Sequence, residues 1–194
     1  MDPVNILVLI ALVAFTAANY SGSKSSLKSK VSAVSKRASG WLQTVPPNVL
    51  AISSLLQFAG VFPIVDTWLL PQPGQTERII FFLLFLLFSW IQLKSFKTLG
   101  NNYSTEIVIF KDHKLVTSGI YSIIRHPQYA GQLLADLFAG LAMLSSPVVI
   151  LTVFFSLPLL VLRAKKEEEF LSITFSEGFT SYRKRSGFFT PWLG

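Results

Sequence analysis

The chain has 194 residues, 51% of them hydrophobic and 14% charged, with 17 Lys plus Arg against 10 Asp plus Glu for a net charge of +7. A soluble domain carries about 25% charge, and the deficit here falls in long charge-free runs, which excludes an ordinary soluble protein and points to an integral membrane one. Nucleic-acid binding needs a soluble basic face, the absence of Cys removes disulfides, thiolate metal sites and cysteine nucleophiles, and two His leave no basis for a metal cage.

In chain order, the first apolar core runs Val4–Ala18. It has Asp2 and no Lys or Arg before it, which argues for a span and against a signal peptide. Ser21–Ser39 is Ser- and Lys-rich and reads as a surface loop or an interfacial helix. Val49–Val65 and Ile79–Leu93 form the second and third cores. The stretch Tyr129–Leu162 is too long for one crossing, since a helix rises about 1.5 Å per residue. Ser145-Ser146-Pro147 interrupts it, which predicts a helical hairpin of two spans, Tyr129–Leu144 and Pro147–Leu162. The expected fold is thus an all-α integral membrane protein with about five transmembrane helices and a cytoplasmic C-terminal helical segment completing a pocket.

Charge gives the orientation. Lys24–Arg37, Lys94–Arg125 and Arg163–Arg185 hold 5, 5 and 6 basic residues, 16 of the 17, and only Arg78 lies opposite. The positive-inside rule places these stretches in the cytoplasm and the N-terminus outside, as an odd number of spans requires. Trp41, Trp68 and Trp90 sit near span ends as interfacial anchors, and the 17 Phe suit a lipid-facing surface. Asp136, deep in the fourth span, needs a partner or water: it pairs across helices or lines a lipid tunnel, with Gln57 and Gln92 as interhelical hydrogen-bonding groups.

Two polar segments carry the chemistry. In the first, Ile107-Val108-Ile109-Phe110, the turn Lys111-Asp112-His113-Lys114 and Leu115-Val116-Thr117-Ser118-Gly119 predict a small β-hairpin or extended loops. The segment ends in Arg125-His126-Pro127-Gln128-Tyr129. A residue before Pro leaves the α region and Pro suits a first helical turn, so His126 starts the fourth span. Such a helix start attracts a ligand carboxylate, and the Tyr129 ring offers a face to a cation. The plainer alternative is that Arg125 and His126 only mark the lipid interface. In the second segment, Arg163, Glu167 and Leu171 share a helical face at i, i+4, i+8. Arg163–Glu167 and Lys165–Glu169 are equally readable as surface pairs worth tenths of a kcal/mol. Phe175, Phe179, Tyr182 and Arg183-Lys184-Arg185 read as an amphipathic helix on the membrane, ended by Gly187.

Taken together these segments resemble the isoprenylcysteine carboxyl methyltransferase family and, more broadly, the phospholipid N-methyltransferases. The block Leu115-Val116-Thr117-Ser118-Gly119-Ile120-Tyr121 with Arg125-His126-Pro127-Gln128-Tyr129-Ala130-Gly131 matches the family's Gly-x-Tyr…Arg-His-Pro-x-Tyr-x-Gly pattern, and Glu167-Glu168-Glu169-Phe170-Leu171 matches its Glu-Glu-x-x-Leu pattern. The likeness extends through Phe175, Tyr182, Arg185 and Pro191. Ser176 stands where a Gly usually follows Phe175, and Phe179 replaces a frequent Tyr.

The resemblance implies S-adenosyl-L-methionine as methyl donor, with S-adenosyl-L-homocysteine as product, in a pocket of the last spans and the C-terminal segment. The chain contains no Gly-x-Gly, so a Rossmann-type site is not indicated. By the same resemblance His126 and Pro127 take the donor's amino-acid end and Tyr129 packs near its sulfonium. Glu167 and Glu168 take its amino group or ribose, and Leu115, Val116, Gly119, Tyr121 and Leu171 line the adenosine pocket. Arg163 grips the acceptor carboxylate bidentately, with Glu167 as the second catalytic residue. Residues 1–98 form a three-span scaffold and 99–194 the catalytic region. The acceptor, a lipophilic small molecule or prenylated substrate, enters from the bilayer among membrane lipids. A phospholipid amine acceptor would need a base such as Glu167 or His126. Other classes remain open: a non-enzymatic membrane protein, such as a transporter subunit or assembly factor, or a sterol-type reductase.

Overall fold

The structure, a computed structural model, describes residues 2–28, 34–62, 68–191 and 193. Six helices dominate it: α1 (Pro3–Lys28), α2 (Val45–Gly60), α3 (Gln75–Leu99), α4 (Pro127–Met143), α5 (Ser146–Leu151) and α6 (Leu157–Arg185). Among the described residues, Pro3–Tyr20, Gln75–Asn102 and Ser146–Arg185 are long and apolar enough to cross a membrane. With 16 and 17 residues, α2 and α4 are shorter, about 24–26 Å at helical rise. They nevertheless run between the same two ends of the bundle. At one end Asp2 meets Arg78 of α3, and Arg78 reaches the Ala142 carbonyl of α4. At the other, the segments just before α2 and before α4 join α6.

The hairpin at Ser145 is present. The left-handed Leu144 (φ 58°) ends α4, the Ser145 N–H donates back to Gly140 O at 2.8 Å, and Pro147 sits in the first turn of α5. Residues 152–156 form a π-turn between α5 and α6. Pro158 follows after Leu157, and its missing N–H and its ring, which would strike a carbonyl one turn back, explain why the regular ladder is relieved there.

Local details differ from the expectations. The mostly helical chain carries one small sheet, in which β1 (Val34–Arg37) pairs antiparallel with β2 (Val108–Phe110), joining the two basic cytoplasm-assigned loops. Among the described residues Leu115–Gly119 forms no strand, so of the two readings the extended loop is observed, and β2 pairs with a segment about 70 residues upstream. Ser21–Ser39 is not a plain loop: α1 continues to Lys28, past the span-length Pro3–Tyr20, and β1 follows; residues 29–33 lie outside the described residues. The C-terminal segment forms a helix after a kink at Ser176, with Phe179 and Tyr182 of its apolar side buried in the protein.

Helix contacts rest on small residues and aromatic rings. On α4, Gly131, Ala135 and Ala139 repeat every four residues and are buried. A Cβ at Gly131 would lie 3.0 Å from Gln92 N and 3.1 Å from Phe88 O, so glycine lets α3 and α4 meet at backbone distance. Several of the Phe expected at lipid serve this packing instead: Phe88 and Phe81 stack on Phe138 and Phe15 meets Phe85 edge-on. Lipid-exposed positions are taken by Ile10, Leu55, Leu83, Phe154 and Phe155 among others.

The buried charged and amide groups at two levels of the bundle are paired, as a hydrocarbon surround demands, while Ser156 Oγ has no partner among the described residues. Asp136 accepts hydrogen bonds from Ser53 Oγ (3.0 Å), Gln57 Nε2 (2.8 Å) and Gln132 Nε2 (2.7 Å), and Gln92 of α3 donates to Gln132. The cross-helix reading of Asp136, Gln57 and Gln92 is therefore the one observed. Arg78 donates to both Asp2 oxygens (2.8 and 2.9 Å), to Asn5 Oδ1 and to Ala142 O (both 3.0 Å), tying α1, α3 and α4. Hydrogen bonds from Arg78 hold the Asp2 carboxyl below its ordinary value.

Within α6, Ser176 has φ 40° and ψ −109°, a conformation suited to glycine. The kink there swings the last turns back over the bundle end. Replacing Ser176 by Gly should stabilise the protein by about 1 kcal/mol by removing that strain, whereas Ser176→Ala should give no gain. Thermal unfolding in detergent reads the difference.

Candidate active site

The first turn of α4 builds one wall. Pro127 fixes the helix start, and His126 before it takes φ −122°, ψ 54° as N-cap. The chain after α6 then runs alongside. Gly187 N–H donates to Ile123 O at 3.0 Å, Arg125 N–H to Gly187 O at 2.8 Å and His126 N–H to Phe188 O at 3.2 Å. This short pairing buries the His126 ring against Phe188, edge-on at 5.0 Å, and parallel to Tyr129 at 5.8 Å. Tyr182 of α6 closes the same corner by donating to Tyr121 O at 2.7 Å.

Neighbouring residues on α6 form the opposite wall. Glu168 Oε1 accepts from Arg125 Nε at 2.6 Å and lies 3.2 Å from His126 Nε2. Arg125 Nη1 also donates to the carbonyls of Arg183 (3.1 Å) and Ser186. Glu167 accepts from the Tyr129 hydroxyl and stands 3.4 Å from Arg163 Nε and 3.9 Å from His126 Nδ1. Arg163 Nε donates to Tyr129 Oη at 2.9 Å, Nη1 to Leu42 O at 3.1 Å and Nη2 to Thr105 O at 2.7 Å. These are buried links of several groups, unlike the solvated pairs open from the sequence. The surface pair that does form is Lys166–Glu169 at 2.8 Å, in place of Lys165–Glu169.

Between the walls lie two adjoining cavities. The larger, about 700 Å³ and open to solvent, takes Glu167, Tyr129 and Gln128 on one side and Asn102, Tyr103, Ser104 and Glu106 through Ile109 on the other. The smaller, about 390 Å³, is lined by Leu115, Val116, Glu168, Phe179 and Tyr182. Tyr121, His126 and Leu171 border both. Burial pushes the Tyr121 phenol well above its ordinary value, so it stays a neutral ring and hydroxyl.

Of the residues expected to bind a donor, Leu115, Val116, Tyr121, His126, Tyr129, Glu167, Glu168 and Leu171 line this space. Gly119 and Pro127 line neither cavity. Gly119 (φ 61°) turns the chain against Thr98, and Pro127 is buried beneath the helix start. Arg163 lines neither cavity and stands behind Tyr129 and Glu167, with its side chain 4% exposed. His113 was missed from the sequence: it borders both cavities, its ring 5.9 Å from Phe110 and 6.0 Å from Phe175.

A sulfonium-bearing nucleoside with an amino-acid end calls for apolar and aromatic surface, a carboxylate for its amino group and cationic or N–H groups for its carboxylate. All are present among the residues that line the two cavities.

Residues 79–173 match the isoprenylcysteine carboxyl methyltransferase (ICMT) family. That segment holds most of α3, the β2 loop, the hairpin and Glu167–Glu168, so the resemblance read from the motifs is borne out as far as residue 173; Phe175, Phe179, Tyr182 and the chain after α6 lie beyond the match. The chain is 41% identical over 83 residues to a Schizosaccharomyces pombe protein-S-isoprenylcysteine O-methyltransferase, covering 39% of this chain and 32% of that one. It also resembles the solved structure of the eukaryotic intramembrane Ras methyltransferase ICMT. The TM-score there is 0.58 at 18% identity, over 77% of this chain and 53% of that one. The fold is therefore that of an ICMT-like integral membrane protein, and the chain spans only a third to a half of the length of these relatives.

Arg125 has a side chain 2% exposed, and Glu168 is its carboxylate partner. Glu168→Ala should therefore destabilise the protein by about 3–5 kcal/mol, the cost of a buried charge left uncompensated. Glu169→Ala, on the exposed Lys166 pair, should change it by less than about 1 kcal/mol. Melting temperatures of the two variants in the same detergent check this.

Proposed function

We propose that this protein is an S-adenosylmethionine-dependent membrane methyltransferase acting on the C-terminal carboxylate of isoprenylcysteine or a similar lipophilic acceptor. One observation carries the reading: within the family-matched segment, the Arg-His-Pro-x-Tyr and Glu-Glu motifs, some 40 residues apart, converge as His126–Glu168 and Tyr129–Glu167 contacts around the joined cavities. The expected topology is retained as part of the proposal, with five spans, the site on the cytoplasmic side, a scaffold in residues 1–98 and a catalytic region in residues 99–194.

S-adenosylmethionine, when bound, supplies an electrophilic methyl carbon on a positively charged sulfur. The chain's residues have the remaining work of binding, orienting and excluding water. His126 and the helix start at Pro127 receive the donor's carboxylate end. Glu168, and Glu167 beside it, receive the amino group or ribose. Leu115, Val116, Tyr121 and Leu171 enclose the base and sugar, with Gly119 shaping the turn that presents them. Tyr129, fixed by Glu167 and Arg163, packs near the sulfonium.

A C-terminal carboxyl group ordinarily titrates at a pH of about 3.5, so the acceptor is ionised at neutral pH and needs no general base. One carboxylate oxygen forms the new O–CH₃ bond as the S–CH₃ bond breaks and its electron pair returns to sulfur, with no proton transferred. Arg163 is assigned to hold that carboxylate. A guanidinium has five N–H donors; among the described residues Arg163 uses one at each nitrogen, leaving one on each terminal nitrogen. The lipid tail would lie between helices, in the bilayer.

Isothermal calorimetry with S-adenosylhomocysteine on detergent-purified protein tests the donor half. Binding should weaken at least tenfold in His126→Ala and in Glu167→Ala. Absent binding, or binding indifferent to both changes, would contradict the proposal. Methyl transfer should proceed to a prenylated cysteine and not to phospholipid amines, and Arg163→Ala should reduce carboxyl methylation by a hundredfold or more.

A further inference from the structure

Arg163 is oriented by two backbone carbonyls, Leu42 O and Thr105 O, which belong to different loops. The first loop precedes α2 and the second precedes β2. Beyond the β1–β2 ladder, an exposed Arg37–Glu106 ion pair at 3.2 Å and the side chain of Gln43 join them. Gln43, next to Leu42, accepts a hydrogen bond from the Ile107 N–H at 2.9 Å through Oε1, and its Nε2 donates to Ile107 O at 3.2 Å and Ala38 O at 2.9 Å. Its primary amide thus pairs with Ile107 as another peptide unit would, and continues the ladder past Ala38, whose N–H donates to Ile107 O at 3.0 Å. Gln43 and Arg163 therefore bridge the same two loops from two sides.

We propose that Gln43 is a positioning residue for the acceptor end of the site: by locking residues 38–43 to residues 105–107 it fixes the two carbonyls that aim the Arg163 guanidinium. The inference rests on the methyltransferase reading and on Arg163 as the acceptor's anchor. Its consequence is selective. Glu106, Ile107 and Val108 border only the larger cavity, whereas Leu115, Val116, Glu168, Phe179 and Tyr182 border only the smaller one. Gln43 borders neither cavity, and its hydrogen bonds reach only one wall of the larger. Loss of its amide should let the guanidinium drift while Leu115, Val116 and Glu168, which border only the smaller cavity and make no polar contact with Arg163, stay in place. Misplacement of about 1 Å by a remote change is enough to slow an oriented reaction a hundredfold.

The test uses the full chain in detergent or nanodiscs, with Gln43→Ala and Gln43→Glu. The glutamate keeps the acceptor for Ile107 N–H and loses the two donations from Nε2. The expected result is S-adenosylhomocysteine affinity within twofold of the parent in both variants, with kcat/KM for a prenylated cysteine falling tenfold to a hundredfold in Gln43→Ala and by less in Gln43→Glu. In an Arg163→Lys background, which lacks the forked guanidinium, the further loss from Gln43→Ala should shrink to threefold or less. A merely structural role would move donor affinity and kcat/KM together and leave the effects of residues 43 and 163 multiplicative; either result overturns the proposal, as does unchanged kcat/KM. If Gln43→Ala fails to fold, Gln43→Glu decides. Failure of the parent protein to bind S-adenosylhomocysteine would instead overturn the underlying functional reading.

Discussion

Two adjacent carboxylates on α6, each drawn to a different cationic group, organise everything around them. Consecutive helical residues point about 100° apart, so Glu167 and Glu168 face different partners from one turn. Glu168 is held by Arg125 and His126 from the start of α4, and Glu167 by Tyr129 and, behind it, Arg163. Removing either carboxylate strands a buried guanidinium or a buried phenol. The two walls of the cavities therefore depend on one another, and the chain after α6 is pinned beside Arg125 as a further consequence.

The bilayer imposes a second constraint, which supports the first. Polar side chains inside the bundle must meet each other because lipid offers no hydrogen bonds. The Asp136 cluster ties α2, α3 and α4 at mid-bundle, and the Arg78 cluster ties α1, α3 and α4 at the end far from the site. Small residues on α4 then allow close approach of α3. With α4 held at several levels along its length, the His126–Tyr129 turn is presented by a rigid element, and rigid presentation is what an oriented displacement needs.

Much of this was legible in the sequence because it depends on local pattern. Apolar runs marked the helices, Ser145-Ser146-Pro147 marked the hairpin, and Pro127 marked the helix start that His126 caps. The two motif blocks named most of the cavity lining. What stayed hidden arises from long-range pairing and from backbone groups. Val34-Ser35-Lys36-Arg37 reads as polar loop, and only its ladder with Val108–Phe110 makes it a strand. Arg163 is oriented by carbonyls, which every residue carries, so no side-chain signal announces Leu42 or Thr105 as partners. Phe179 and Tyr182 have an amphipathic spacing that suits a membrane surface as well as a packed turn, and the kink at Ser176 decides between them. Ser176 itself was visible as a departure from a family glycine, but its strain appears only in the backbone angles.

The central claim is that the space between the His126–Tyr129 turn and the Glu167–Glu168 turn is a methyl-donor site. The most direct measurement is an experimental structure of the full chain in lipid nanodiscs with S-adenosylhomocysteine. Ligand density should then lie across the two cavities, with its amino-acid end within hydrogen-bonding distance of His126 or Glu168 and its purine ring against Leu115, Val116 or Tyr121. Ligand density elsewhere in the protein, or none at saturating concentration with these cavities intact, would contradict it.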